Sequence, residues 1–162
     1  MRRIPRRLAR APIGIFRVGL GWVFAGRLVM VEHVGRRTGR RRHVVLEVVE
    51  RGPHHVVVPS GYGRRAQWFR NLEADPRVRL WWRGVVGARG HARVLGVEEA
   101  RELLERYRAR SRTRARVVAT TLDLPELLAS GPLPAEVAAR VPLVELRSAA
   151  LPGNVPGRRA GR

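Results

Sequence analysis

The chain has 162 residues, enough for one domain with a real core, and it lacks cysteine, which excludes a disulfide framework, a thiol nucleophile and a cysteine-bound metal. Its formal charge of +20 and pI near 12.0 call for an anionic partner: nucleic acid, an anionic membrane surface or an acidic cofactor. All 33 basic residues are arginine, a chain-wide bias that makes the position of charge more informative than its sum.

Residues 1–42 hold twelve arginines against the single Glu32, a net +11 of the +20, so the positive field lies mainly in the N-terminal quarter. Arginines 2 to 10 precede a partly apolar run from Ile13 to Gly26, an order that resembles a secretory signal. Arg17 and three glycines interrupt that run, and no uncharged apolar window of about 18 residues exists to span a membrane. Pro12 to Phe24 reads as a helix opened by proline, with Ile13, Phe16 and Leu20 on one stripe. Its two readings are core packing and peripheral attachment to a membrane through Phe16, Trp22, Phe24 and flanking arginines.

From Leu28 the period changes to that of strands. Leu28 to Val34 is the first, and His43 to Arg51 the second, with Val44, Leu46 and Val48 alternating against Val45, Glu47 and Val49. Between them lies Gly35-Arg-Arg-Thr-Gly-Arg-Arg-Arg42, a dense anion-binding loop. Planar guanidiniums grip phosphate or carboxylate oxygens in pairs, and glycine lets backbone N–H groups approach the same ligand.

Gly52-Pro53 turns the chain into a third strand, His54 to Ser60. Gly61 to Arg65 is a loop, Ala66 to Ala74 a helix, and Asp75-Pro76 its stop. Arg77 to Arg83 is a fourth strand, with Val78, Leu80 and Trp82 on one face and Arg79 and Trp81 on the other. Gly84 to Gly87 turns into a fifth, Ala88 to Leu95. Val97 to Arg110 is the clearest helix, with Ala100, Leu103, Leu104 and Tyr107 at helical spacing. Short helical pieces over residues 112–140, a last strand from Pro142 to Arg147 and a disordered basic tail complete the chain. The expectation is an α+β chain with a mainly β core, a split or Greek-key β-barrel with flanking helices. One domain covers residues 1–150 and the tail residues 151–162.

No metal site is expected, because the five histidines form no ligand motif and the adjacent His54 and His55 face opposite ways on a strand. Gly61-Tyr62-Gly63-Arg64-Arg65-Ala66 fits the dinucleotide fingerprint, but the hairpins around it disagree with a parallel βαβ unit.

The loop pattern Gly35, Arg36, Arg37, Thr38, Gly39 and Arg42 is followed by a second motif: Ser60, Gly61, Gly63, Trp68, Phe69, Asn71, Leu72, Ala74, Asp75 and Pro76. In this order and separation the two motifs resemble those of the deazaflavin-dependent nitroreductases of actinobacteria, over about Ile13 to Leu95. Members of that family reduce quinones or nitro compounds with coenzyme F420.

The resemblance implies a split β-barrel similar to flavin-binding ones, with F420 as cofactor and FMN as the alternative. It also implies hydride transfer to a small-molecule quinone or nitroaromatic acceptor. Arg36, Arg37, Thr38, Gly39 and Arg42 would hold the anionic tail, and Arg40 and Arg41 its outer carboxylates. Ser60 and Gly61 would border the ring and Trp68 would wall its pocket, or else pack the helix on the barrel. Asn71 is either a turn or cap hydrogen-bonding residue or a ligand contact. Tyr107 is either helix core or part of the acceptor pocket. Catalytic residues are not identified, since the cofactor itself delivers the hydride.

The resemblance places the protein in the cytoplasm, peripheral at the inner face of the membrane if the first helix attaches there. Two competing readings are a deazaflavin carrier without turnover and a nucleic-acid or anionic-surface binder built on Arg79, Trp81, Trp82 and Arg83.

Overall fold

The computed structural model describes residues 26–152. The expected helix from Pro12 to Phe24 and nearly all of the tail lie outside the described residues. Seven strands form one antiparallel sheet: β1 (Leu28–Val34), β2 (Arg41–Glu47), β3 (Glu50–Gly52), β4 (His55–Pro59), β5 (Arg77–Trp82), β6 (Val85–Val94) and β7 (Leu143–Arg147). Among the described residues four α-helices accompany it: α1 (Gln67–Ala74), α2 (Val97–Arg110), α3 (Arg112–Leu122) and α4 (Ala135–Arg140).

The spatial order is β2-β1-β5-β6-β7-β4-β3, so β2 and β3 stand at opposite edges. Only Val48 and Val49 separate these two strands in the chain, and two residues cannot span an open seven-stranded sheet. The sheet therefore curls until its edges meet. At this corner the backbone changes partners: Val48 N donates to Arg27 O beside β1 (2.7 Å), and Val49 N donates to Val57 O of β4 (2.9 Å). The single strand expected over His43 to Arg51 is thus two strands joined by a corner. Barrel closure requires such a bend, and alternation alone does not mark it.

The inside of the curl is an apolar cluster of Val29, Val31, Val56, Val58, Leu80 and Leu146 with their neighbours, and α1 plugs it with Phe69 and Leu72. Burying a side chain of that kind contributes roughly 1.5–3 kcal/mol. As expected from period two, Val78, Leu80 and Trp82 face inward. A second cluster lies where α2, α3 and α4 cover the outer face of the sheet at Val57 and Leu143. α2 buries Ala100, Leu103, Leu104 and Tyr107, and it carries Glu98 and Glu99 in its first turn and Arg108 and Arg110 in its last, which complements its dipole.

The β5–β6 turn is tighter than expected. Arg83 (φ +48) and Gly84 (φ +88) alone make the turn, both left-handed as a two-residue hairpin requires, and β6 starts at Val85. Gly87 belongs to β6, where the register shifts between Leu80 and Trp82. The dinucleotide reading of Gly61 to Ala66 does not hold, because every strand pair is antiparallel.

Candidate functional site

The basic loop is a compact turn. Gly35 N donates to Arg40 O (2.9 Å), while Thr38 N and Gly39 N donate to Gly35 O (3.0 and 2.8 Å). Gly39 has φ +62, a conformation that favours glycine. At Gly35 a Cβ would lie 2.9 Å from Thr38 Oγ1 and 3.1 Å from Arg42 Nε, so the bare backbone is what lets Thr38 and Arg42 converge. Arg41 is drawn away to Glu32 at 3.3 Å, and His43 reaches the same carboxylate at 3.1 Å. Arg37, Arg40 and Arg42 are exposed and have no carboxylate partner among the described residues. Three unpaired cations around a six-residue turn repel one another and are relieved by an anion between them.

Arg36 behaves differently, turning from the loop toward α1. Its backbone N donates to Asn71 Oδ1 (3.2 Å), and its Nη1 donates to Asn71 Oδ1 (3.0 Å) and Gln67 Oε1 (3.1 Å). Asn71 is buried, and its Nδ2 lies 3.2 Å from Nδ1 of His33, itself buried on the inward face of β1. Both Arg36 groups are donors, so the Asn71 oxygen must face them and its amide must face the imidazole. The Asn71 side chain makes neither a cap nor a local turn bond: it ties the loop to α1. Arg36 Nε and Nη2 make no hydrogen bond among the described residues. Sequence reasoning missed His33 and Gln67. The available signal was alternation in β1, which puts His33 on the face of Val29 and Val31.

The second expected segment lies at the other flank of α1. Ser60 is fully buried, its N donates to Pro142 O (2.9 Å), and its hydroxyl donates to Gly63 O (2.7 Å). That hydroxyl closes the turn. Gly61 abuts α3, for a Cβ there would fall 2.6 Å from Leu122 Cδ2. Trp68 is half-buried and meets Phe69 edge-to-face at 5.9 Å. Because Gln67 and Asn71 occupy adjacent turns of a helix only about 12 Å long, α1 brings the Arg36 end of the loop beside the Ser60–Gly61 turn.

Tyr107 is buried in the helix cluster, and it also lines a cleft of about 600 Å³ with Arg27, Val48, Val49, Arg110 and Arg114. Burial, then the nearby Glu47 carboxylate, pushes its phenol up to about 12. Glu47 is in turn raised by burial, against the opposing pull of Arg27. This cleft joins the β2–β3 corner to the start of α3.

The aromatic platform required for base stacking does not form. Trp82 is buried and donates from Nε1 to Gly26 O (3.1 Å), whereas Trp81 lies on the opposite face against His43 (5.8 Å between rings).

A family model described as F420H(2)-dependent quinone reductase matches residues 7–125. No curated protein matches significantly. Among solved structures, an F420-H2 dependent reductase (FDR-A) aligns with TM-score 0.44 and 19% identity, over 75% of this chain and 94% of that one. A candidate 5-nitroimidazole antibiotic resistance protein from Bacteroides thetaiotaomicron aligns with TM-score 0.50 and 10% identity, over 78% and 75%. A protein from Clostridium acetobutylicum related to general stress protein 26, of the pyridoxinephosphate oxidase family, aligns with TM-score 0.49 and 10% identity, over 83% and 84%. The Bacteroides match is a likeness of fold alone. The family model spans most of the chain, including the basic loop, the Ser60 turn, α1 and Tyr107. The chain therefore belongs to the F420H2-dependent quinone reductase family, with reduced coenzyme F420 as its hydride source and a quinone as its acceptor.

Proposed function

We propose that the Gly35–Arg42 loop is the clamp for the anionic end of F420. Arg37, Thr38, Gly39 and Arg42 hold phosphate and carboxylate oxygens, Arg36 contributes from the α1 side, and Arg40 stands outside them. The observation that carries this reading is a glycine turn that carries exposed arginines without a carboxylate partner among the described residues, with Thr38 and Arg42 brought together over Gly35 and Glu32 occupied by Arg41 and His43. That donor set fits an acidic tail, because planar forks bind such oxygens bidentately. The backbone at Ser60 and Gly61, with Trp68, borders the ring, and Asn71 positions Arg36. When bound, the reduced deazaflavin supplies the hydride.

The Tyr107 cleft receives the acceptor. It begins at Val49, whose N–H meets Val57 of β4, about 10 Å along that strand from Ser60. Its apolar valines suit a flat ring, and its arginines suit the negative charge that develops on a reduced quinone or nitro group. A nitroaromatic is a secondary acceptor in this reading. The chain acts as one domain over residues 1–150, in the cytoplasm, peripheral at the inner face of the membrane. No helix among the described residues is long and apolar enough to cross a membrane.

The test is to titrate F420 against the fluorescence of the four tryptophans for wild type and for the Arg37→Gln, Arg42→Gln double variant. Two charge-assisted contacts at about 1.5 kcal/mol each predict a loss of about a hundredfold in affinity with the melting temperature unchanged. Equal affinity of the two proteins refutes the clamp.

A further inference from the structure

His33 sits under the basic loop, inside the barrel, and no role in the reaction has so far fallen to it. We propose that His33 is a positioning residue whose neutral imidazole, through Asn71, holds Arg36 in the orientation that receives the coenzyme, so that protonating His33 releases Arg36 and weakens coenzyme binding. The inference rests on the loop being the coenzyme clamp.

The geometry leaves little freedom. Asn71 Oδ1 is already engaged by two donors of Arg36, at 3.2 and 3.0 Å, so Nδ2 is the atom that meets His33 Nδ1 at 3.2 Å. An amide N–H needs an acceptor, so Nδ1 must carry a lone pair and the imidazole proton must lie on Nε2. In the imidazolium both ring nitrogens are donors, and Nδ1–H would point at the Asn71 amide. Asn71 then relieves the clash only by rotating its oxygen toward His33, which turns its NH2 group against the N–H groups of Arg36. Either outcome breaks the pair of bonds that orient Arg36. His33 and Asn71 are both nearly inaccessible, so losing the acceptor is costly.

The charged and titratable groups around His33 are Arg36 from the loop, Glu32, Arg41, Arg42 and His43 on the hairpin, Asp75 where α1 meets β5, Arg77 and Arg79 on β5, and Arg89 on β6. Burial, with Arg42 and His43, favours the neutral form and outweighs the pull of the Val34 backbone and Glu32. Neutral His33 is therefore the state at physiological pH, and release belongs to acid conditions.

His33→Asn is the decisive variant, because an asparagine oxygen occupies nearly the place of imidazole Nδ1, accepts a hydrogen bond and does not titrate. Dissociation constants for oxidised F420 are measured by tryptophan fluorescence from pH 8 to pH 5, for wild type, His33→Asn and His33→Leu. The expected result is wild-type affinity falling about tenfold across the range while His33→Asn changes by about twofold at most, with His33→Leu weak throughout. Titration of the coenzyme's own carboxylates affects all three proteins alike, so the difference between them reports His33.

A wild-type profile that His33→Asn reproduces would overturn the inference while leaving the clamp intact. Nitrogen-15 NMR of histidine-labelled, coenzyme-free protein provides an independent measurement. A proton on Nε2 at pH 8 is expected, and a proton on Nδ1 would overturn the inference whether or not coenzyme binds. Failure of every protein to bind F420 at any pH would overturn the proposed clamp and this inference with it.

Discussion

Asn71 Oδ1 accepts two hydrogen bonds from Arg36, one from its backbone nitrogen at 3.2 Å and one from its guanidinium at 3.0 Å. One side chain thus fixes both the path of the loop and the aim of its first arginine. Asn71→Ala leaves the Arg36 backbone N–H and the buried His33 Nδ1 without partners, and Arg36 Nη1 with Gln67 alone. The expected cost is about 2–3 kcal/mol in denaturant unfolding, with weaker F420 binding in fluorescence titration. A stability change without an affinity change would separate the fold from the clamp.

The two glycines of the Ser60 turn differ in what surrounds them. Gly63 has φ +58, and a Cβ on it would lie 2.8 Å from the Arg140 carbonyl, a backbone atom that cannot swing away. Gly61 faces only the end of the Leu122 side chain. Gly63→Ala is therefore expected to cost about 2 kcal/mol and Gly61→Ala less than about 1 kcal/mol, read from urea midpoints. The reverse order would contradict this account of the turn.

Glu47 is a carboxyl whose pKa burial raises above the ordinary 4.5. The folded chain then binds more protons than the unfolded one above that value, so this group's contribution to stability falls as pH rises from 4.5 through the folded-state value. Glu47→Gln removes the penalty. Its melting temperature should exceed that of wild type by about 2 °C at pH 8 and match it at pH 4. A variant less stable than wild type at pH 8 would show that the ionised carboxylate is stabilising.

Around Arg93 the sign reverses. Arg93 pairs with Glu99 at 2.8 Å and with Glu145 at 3.4 Å, and Arg147 also bonds Glu145. Burial works to raise the Glu145 pKa, but the hydrogen bonds from Arg147 and Arg93 prevail and hold it below 4.5; Arg93 likewise lowers Glu99. Their stabilisation is present above pH 4.5 and is lost as pH falls through the folded-state values. Since Arg93 is half-exposed, Arg93→Gln should cost only about 0.5–1 kcal/mol at pH 7, and the difference from wild type should shrink as pH falls below 4.5. Thermal melts across pH check both limbs.

Some of the fold was legible residue by residue. β1 and α2 occupy the spans expected for them, Leu28–Val34 and Val97–Arg110, because alternation and helical spacing are properties of near neighbours. The position of β7 was not legible. Read as a last strand near the chain end, it lies between β6 and β4 with four of its five residues buried. Nothing within Leu143–Arg147 names its partners, since pairing is decided by which edges remain open once the earlier hairpins have formed.

What the sequence determined by itself was the period of its elements and the presence of a glycine-flanked arginine loop, because charge density and backbone permissiveness are local. Tertiary structure alone decided how those arginines divide. Arg36 turns inward to Asn71, 35 positions away, Arg41 pairs with Glu32, and Arg37, Arg40 and Arg42 have no carboxylate partner among the described residues. The reason is physical: a guanidinium takes whichever acceptor is brought within about 3 Å, and for Arg36 that acceptor arrives only when α1 enters the barrel.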